Sequence, residues 1–117
     1  MANSILTETK QMLGIPATDV VFDIDIVILI NSAFMVLNQM GVGPETPFSI
    51  DDSIAEWDDF LTEISTYQAV KSYIYLSVRL VFDPPGTSFL IDSLARTKQE
   101  LEWRLAVQVP IPPEVIP

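Results

Sequence analysis

The 117-residue sequence predicts an all-α fold: a small bundle of about four to five helices with a long helical hairpin, followed by an extended proline-rich C-terminal arm. Three observations carry this reading. From Gln68 to Phe82, Val70, Tyr73, Ile74, Ser77, Val78 and Val81 recur on a 3.6-residue period and form one broad apolar face. From Phe89 to Val107, Leu90, Leu94, Leu101 and Leu105 trace a second stripe. Between the two, Asp83-Pro84-Pro85-Gly86 stops the first helix, because proline donates no backbone hydrogen bond and biases the preceding residue away from helical dihedrals. So short a corner favours antiparallel neighbours.

The remaining elements follow in chain order. A first helix is expected from Ser4 to Leu13, capped by Asn3 or Ser4 and ended by Gly14, with Pro16 just beyond. A second runs from about Asp23 to Met40, its early Asp23 and Asp25 suited to the positive end of a helix dipole and Gly41 closing it. Ile24, Val27, Ile28, Ile30, Phe34, Met35 and Leu37 cover most of its circumference, which predicts a central position. Asn31 stands alone among them and reads as a satisfied core polar group or a register device. Two glycines and two prolines in Gly41 to Ser53 rule out a long regular element there, although Phe48 to Ile50 could form a short extended piece. A loop of this length is a candidate contact element.

A short third helix, Ile54 to Ile64, would bury Trp57, Phe60, Leu61 and Ile64 and leave Glu56, Asp58, Asp59 and Glu63 wet. The long fourth helix spans about Thr66 to Phe82, with Lys71, Tyr75 and Arg79 lining a second side. Thr87 or Ser88 caps the fifth, whose pairs Arg96–Glu100, Glu100–Arg104 and Lys98–Glu102 lie four apart and mark a solvated or interfacial side. Residues 1–108 are expected to form one helical domain and 109–117 an extended arm, since Pro110, Pro112, Pro113 and Pro117 leave that segment no helix and no core of its own.

Composition narrows the function. Hydrophobic residues make up 49% and charged residues only 19%, which predicts a dense core or a buried subunit interface and excludes disorder of the whole. Six Lys and Arg against 16 Asp and Glu give a net charge of −10, which disfavours binding that tracks nucleic-acid phosphates. The acids gather at Asp51, Asp52, Glu56, Asp58, Asp59 and Glu63, either as a solvated face or as a surface past which DNA slides without sticking. No membrane span is expected: Ile24 to Leu37 is interrupted by Asp25, Asn31 and Ser32, and spanning takes about 20 apolar residues. The opening residues show no cationic region followed by a long apolar core, so no secretory signal is expected either.

Catalysis is not expected. With neither His nor Cys, the commonest general base, thiol nucleophile and transition-metal ligands are missing, and no cofactor is implied. Glu56 with Asp59, or Asp59 with Glu63, could share a helix face around Mg²⁺, but no second acidic pair is apparent on another helix. Gly41-Val42-Gly43-Pro44 lacks the pattern of a phosphate-binding loop and follows a helix instead of a strand. Tyr67, Tyr73 and Tyr75 at helical spacing read as core or subunit contacts before base-stacking platforms.

Several segments in order carry a resemblance: Met12-Leu13-Gly14-Ile15-Pro16, Asn31-Ser32-Ala33, Leu37 to Pro44, Trp57-Asp58-Asp59-Phe60-Leu61, Val70 to Leu76, Val78 to Pro85, and Glu100 to Leu105. Up to about Gln108 the chain resembles the head-tail connector, or head-completion adaptor, proteins of tailed bacteriophages. The resemblance implies a non-enzymatic structural virion protein that assembles into a ring, typically dodecameric, beneath the portal at the capsid vertex. It would extend the DNA channel and join the head to the next neck or tail component. The implied partners are the portal protein, the next neck or tail-completion protein, further copies of itself, and passing double-stranded DNA held without sequence-specific contacts. The implied place is the virion neck, with the host cytoplasm during assembly. In that setting Tyr75, Arg79, Arg96 and Arg104 are candidate subunit or portal contacts, as are Val109, Ile111, Val115 and Ile116 of the arm, and Asp51, Asp52, Asp58 and Asp59 are candidate channel-facing acids. The same charge also suits an acidic DNA mimic that inhibits a host DNA-binding protein, or a generic acidic helical adaptor.

Overall fold

In the computed structural model, residues 4–44, 46, 48–60 and 64–107 are described, with only the backbone of residues 64–67. Five helices follow one another: α1 (Ile5–Met12), α2 (Asp23–Gln39), α3 (Trp57–Phe60), α4 (Ile64–Phe82) and α5 (Ser88–Val107). The fold is all-α, with no strand among the described residues. The α4–α5 hairpin forms as expected, and α2 also packs on α4. The expected arm, residues 109–117, lies outside the described residues.

Local chemistry sets the helix ends. Ser4 caps α1, its Oγ accepting the Thr7 N–H at 3.2 Å. Both α1 and α2 then close in the same paired-hydrogen-bond motif: Gly14 N–H donates to Gln11 and Ile15 N–H to Lys10, while Gly41 N–H donates to Asn38 and Val42 N–H to Leu37. That motif requires a left-handed residue after the cap, and Gly14 and Gly41 supply φ values of 81° and 85°. Val42 is buried against the same core as Leu37, the apolar contact that accompanies this type of helix end. Thr87 caps α5, its Oγ1 accepting the Leu90 N–H.

One cluster forms the core, joining Ile5 and Leu6 of α1, Ile26, Ile30, Phe34 and Leu37 of α2, Trp57 and Phe60 of α3, Val70, Tyr73, Ile74 and Val78 of α4, and Leu105 of α5. The loop between α2 and α3 belongs to this core. Phe34, Phe48 and Phe60 pack as a triad with ring centroids 4.7 to 5.3 Å apart. Gly43 passes so close to Phe60 that an added Cβ would meet its ring at 2.5 Å. Asn31 holds the loop by a double bond to one residue: its Nδ2 donates to the Ile50 carbonyl at 2.9 Å and its Oδ1 accepts the Ile50 N–H at 2.8 Å. An extended backbone segment has been given a side chain as its ladder partner, so no strand is needed.

Three sequence expectations change. The third helix begins at Trp57 instead of Ile54; Ile54 is 80% exposed, and Ala55 instead accepts a backbone hydrogen bond from Ile5. Trp57 and Phe60 are buried as expected, while the side chains of Leu61, Glu63 and Ile64 lie outside the described residues. Val81 and Leu90 leave their stripes for solvent, because α4 and α5 diverge from cover near the Asp83–Gly86 corner. Only one side of α2 is covered: Ile24, Ile28 and Met35 are 77%, 57% and 60% exposed. Among the described residues α2 packs on α4 and α1, with Phe34 reaching Phe48 and Phe60, and these neighbours do not surround it.

Candidate docking surfaces

The uncovered side of α2 and the C-terminal half of α4 together form an apolar groove. One depression of about 360 Å³ is lined by Phe22, Asp25, Ile28, Leu29, Val81 and Phe82. Its floor is set by Phe22 and Phe82, which meet edge to face at 5.3 Å. A second, of about 150 Å³, continues past the shared Leu29 and Val81 to Ser32, Ala33, Val36 and Lys98. Small residues at 32 and 33 let α4 approach there and leave the space. Ile24 in the first turn of α2 and Val20 and Val21 before it are exposed as well.

The second surface is the outer side of α5. Phe89, Arg96 and Trp103, seven apart, are all exposed, the two aromatics at 74% and 65%. An exposed tryptophan beside arginine is the composition of interface centres, since both offer large contact area with directional bonds. Sequence reading passed over Trp103 as one more residue of an amphipathic helix; its position seven residues from Arg96, off the Leu101–Leu105 stripe, was the available signal.

The expected contact residues divide. Tyr75 and Arg79 are half-buried and meet within their own helix, Arg79 Nη1 donating to the Tyr75 hydroxyl at 2.7 Å. That bond holds the guanidinium's pKa above its ordinary value. Arg79 Nε is buried without an acceptor. Lys71, the third member of that stripe, turns inward to Glu8 of α1 at 3.0 Å and lies over the Trp57 ring. Arg104 pairs with Glu100 at 2.6 Å on an exposed surface, whereas Arg96 is exposed and makes no ion pair among the described residues. The Lys98–Glu102 pair is replaced by a joint grip on Tyr73: Lys98 lies over its ring and Glu102 accepts its hydroxyl hydrogen at 2.9 Å. Burial first, and the Glu102 carboxylate second, push the Tyr73 pKa far above its ordinary 10.0. Val109, Ile111, Val115 and Ile116 lie outside the described residues.

Asp51, Asp52, Asp58 and Asp59 are all exposed and stand in the segment that leads into α3 and in α3 itself. Asp52 and Asp59 also shape that segment, accepting the backbone N–H groups of Ile54 and Glu56. No group of three or more potential ligands converges to hold a metal ion among the described residues. No described helix is long and apolar enough to cross a membrane.

The described residues thus bear two exposed apolar surfaces and an acidic segment. A family model described as phage connector protein matches residues 5–110, nearly the whole chain. The chain belongs to the phage connector protein family. No curated protein and no solved structure matches it. As a phage connector it has a structural role at the neck of the virion, between the portal and the neck proteins. The match reaches beyond the expected limit near Gln108, into the first residues of the proline-rich segment.

Proposed function

We propose that this connector forms a closed ring beneath the portal, lengthens the DNA channel and presents a new surface to the next neck or tail-completion protein. One observation carries the reading: a single chain bears two different apolar docking surfaces, the α2–α4 groove and the α5 ridge. Two unlike surfaces on one protomer are what a head-to-tail ring needs, whereas a two-fold dimer uses one self-complementary patch. An acidic inhibitor that imitates DNA needs neither.

Within the ring, Asp51, Asp52, Asp58 and Asp59 face the channel and repel DNA phosphates, so that packaged double-stranded DNA passes without binding. Tyr75, Arg79 and Arg104 contribute polar contacts to a neighbour or the portal, the acceptorless Nε of Arg79 being the group with most to gain. The segment after Gln108 reaches the portal or an adjacent subunit, its Val109, Ile111, Val115 and Ile116 filling grooves as an extended chain. Assembly takes place in the host cytoplasm. Electron microscopy of DNA-filled particles carrying labelled connector tests this: label in a ring between portal and tail is expected, with occupancy reduced when residues 109–117 are deleted. Label absent from the neck of joined particles overturns the ring; unchanged occupancy on truncation overturns the role of the arm.

A further inference from the structure

We propose that the α5 ridge of one copy seats in the α2–α4 groove of a second copy, with Arg96 of the ridge paired to Asp25 of the groove; the proposal rests on the ring reading above. The charges argue for it first. Arg96 and Asp25 are both exposed and neither has an ion pair among the described residues. At a net charge of −10, copies repel one another unless their contact is apolar and its charges are opposed. This pairing meets both conditions.

Register argues for it second. On the ridge, seven residues lead from Arg96 to Trp103, about 10 Å along the helix. On the groove, seven residues lead from Asp25 to Ser32, the same distance. With Arg96 on Asp25 and the helices parallel, Trp103 therefore falls on the depression lined by Ser32, Ala33 and Val36, where small side chains leave room for an indole. In the other direction the same step carries Phe89 about 10 Å past Asp25, off the α2 N-terminus and toward the exposed Val20 and Val21. Both aromatics of the ridge thus meet apolar surface when its one unpaired cation meets the groove's carboxylate. The contact is head-to-tail, leaving the first copy's groove and the second copy's ridge free for the next neighbours.

Sedimentation velocity of the full chain, alone and with purified portal, tests the pairing. Arg96→Asp and Asp25→Arg are each expected to weaken assembly at least tenfold, Trp103→Ala likewise, and the double exchange Arg96→Asp with Asp25→Arg is expected to restore it. Thermal melts of Arg96→Asp and Trp103→Ala should match the parent, since both side chains are exposed in the subunit, and Asp25→Arg should melt only slightly lower, because it reverses a charge in the first turn of α2. Single variants that assemble normally, or a double exchange that fails to rescue, overturn the pairing and leave the ring standing. A parent chain that stays monomeric with and without portal overturns the ring reading, and the pairing with it.

Discussion

Isoleucine lines both sides of α2, and the two sides meet different ends. Ile26 and Ile30 are fully buried against α1, α3 and α4, whereas Ile24 and Ile28 are 77% and 57% exposed. The inner side has a triad of phenylalanines, a loop tied down by Asn31 and the cap-closing Val42 stacked against it; the outer side has only the rim of a groove. Covering an isoleucine side chain is worth about 1.5–3 kcal/mol. That gain is realised within the subunit on one side and not on the other, so the same residue type stabilises the fold at position 26 and stays in solvent at position 28.

The sharpest way to break this comparison is to truncate one residue on each side. Phe34→Ala should lower unfolding stability by about 3–5 kcal/mol, because it removes the centre of the aromatic triad and leaves a cavity. Ile28→Ala should stay within about 0.5 kcal/mol of the parent in the isolated subunit. Urea titration of both checks this, and similar losses would mean that the outer side is covered within the subunit after all.

Asn31 tests how far the inner side depends on a single polar device. Asn31→Ala should cost about 1–3 kcal/mol, since both backbone groups of Ile50 lose their partner in a largely buried setting. Amide hydrogen exchange at Ile50 should accelerate with it. Ser32→Ala, one residue away on the open side, should change neither, because Ser32 only returns its hydroxyl hydrogen to the Ile28 carbonyl of its own helix.

The smallest effect is a pH dependence at the seam between the two sides. Tyr73 is neutral below its ordinary pKa in both folded and unfolded chains, and folding raises that pKa through burial and the Glu102 carboxylate. The folded state therefore holds the proton more tightly, so stability is intact below about pH 10 and falls as pH rises beyond it. Thermal melts from pH 8 to pH 11 should show that decline in the parent and a shallower one in Tyr73→Phe. Equal slopes would place the alkaline sensitivity elsewhere.

Much of this architecture was legible locally. Ser4, Gly14, Gly41, Thr87 and the Asp83–Gly86 corner each act on residues within one helical turn, so their effect needs no knowledge of the rest of the chain. The third helix starts later than Ile54 because the Ala55 carbonyl is drawn to Ile5, 50 positions away in sequence. The candidate site was harder. Arg96 and Arg104 are on the exposed side of α5, but Lys71 is spent on Glu8 and Trp57, and the one local mark of Trp103 is its place off the Leu101–Leu105 stripe.

By itself, the sequence determined an all-α chain, the hairpin of its two longest helices, the positions of most helix ends and an acidic segment before α4, because hydrophobic period, caps, prolines and charge act over a few residues. Tertiary structure alone decided which side of α2 faces solvent, that Asn31 would hold Ile50, and that Lys98 and Glu102 would grip Tyr73 instead of each other. The reason is physical. A helix covered with apolar residues specifies that its sides want burial, but which of them find neighbours is a property of the packed chain, and here one side of α2 stays exposed.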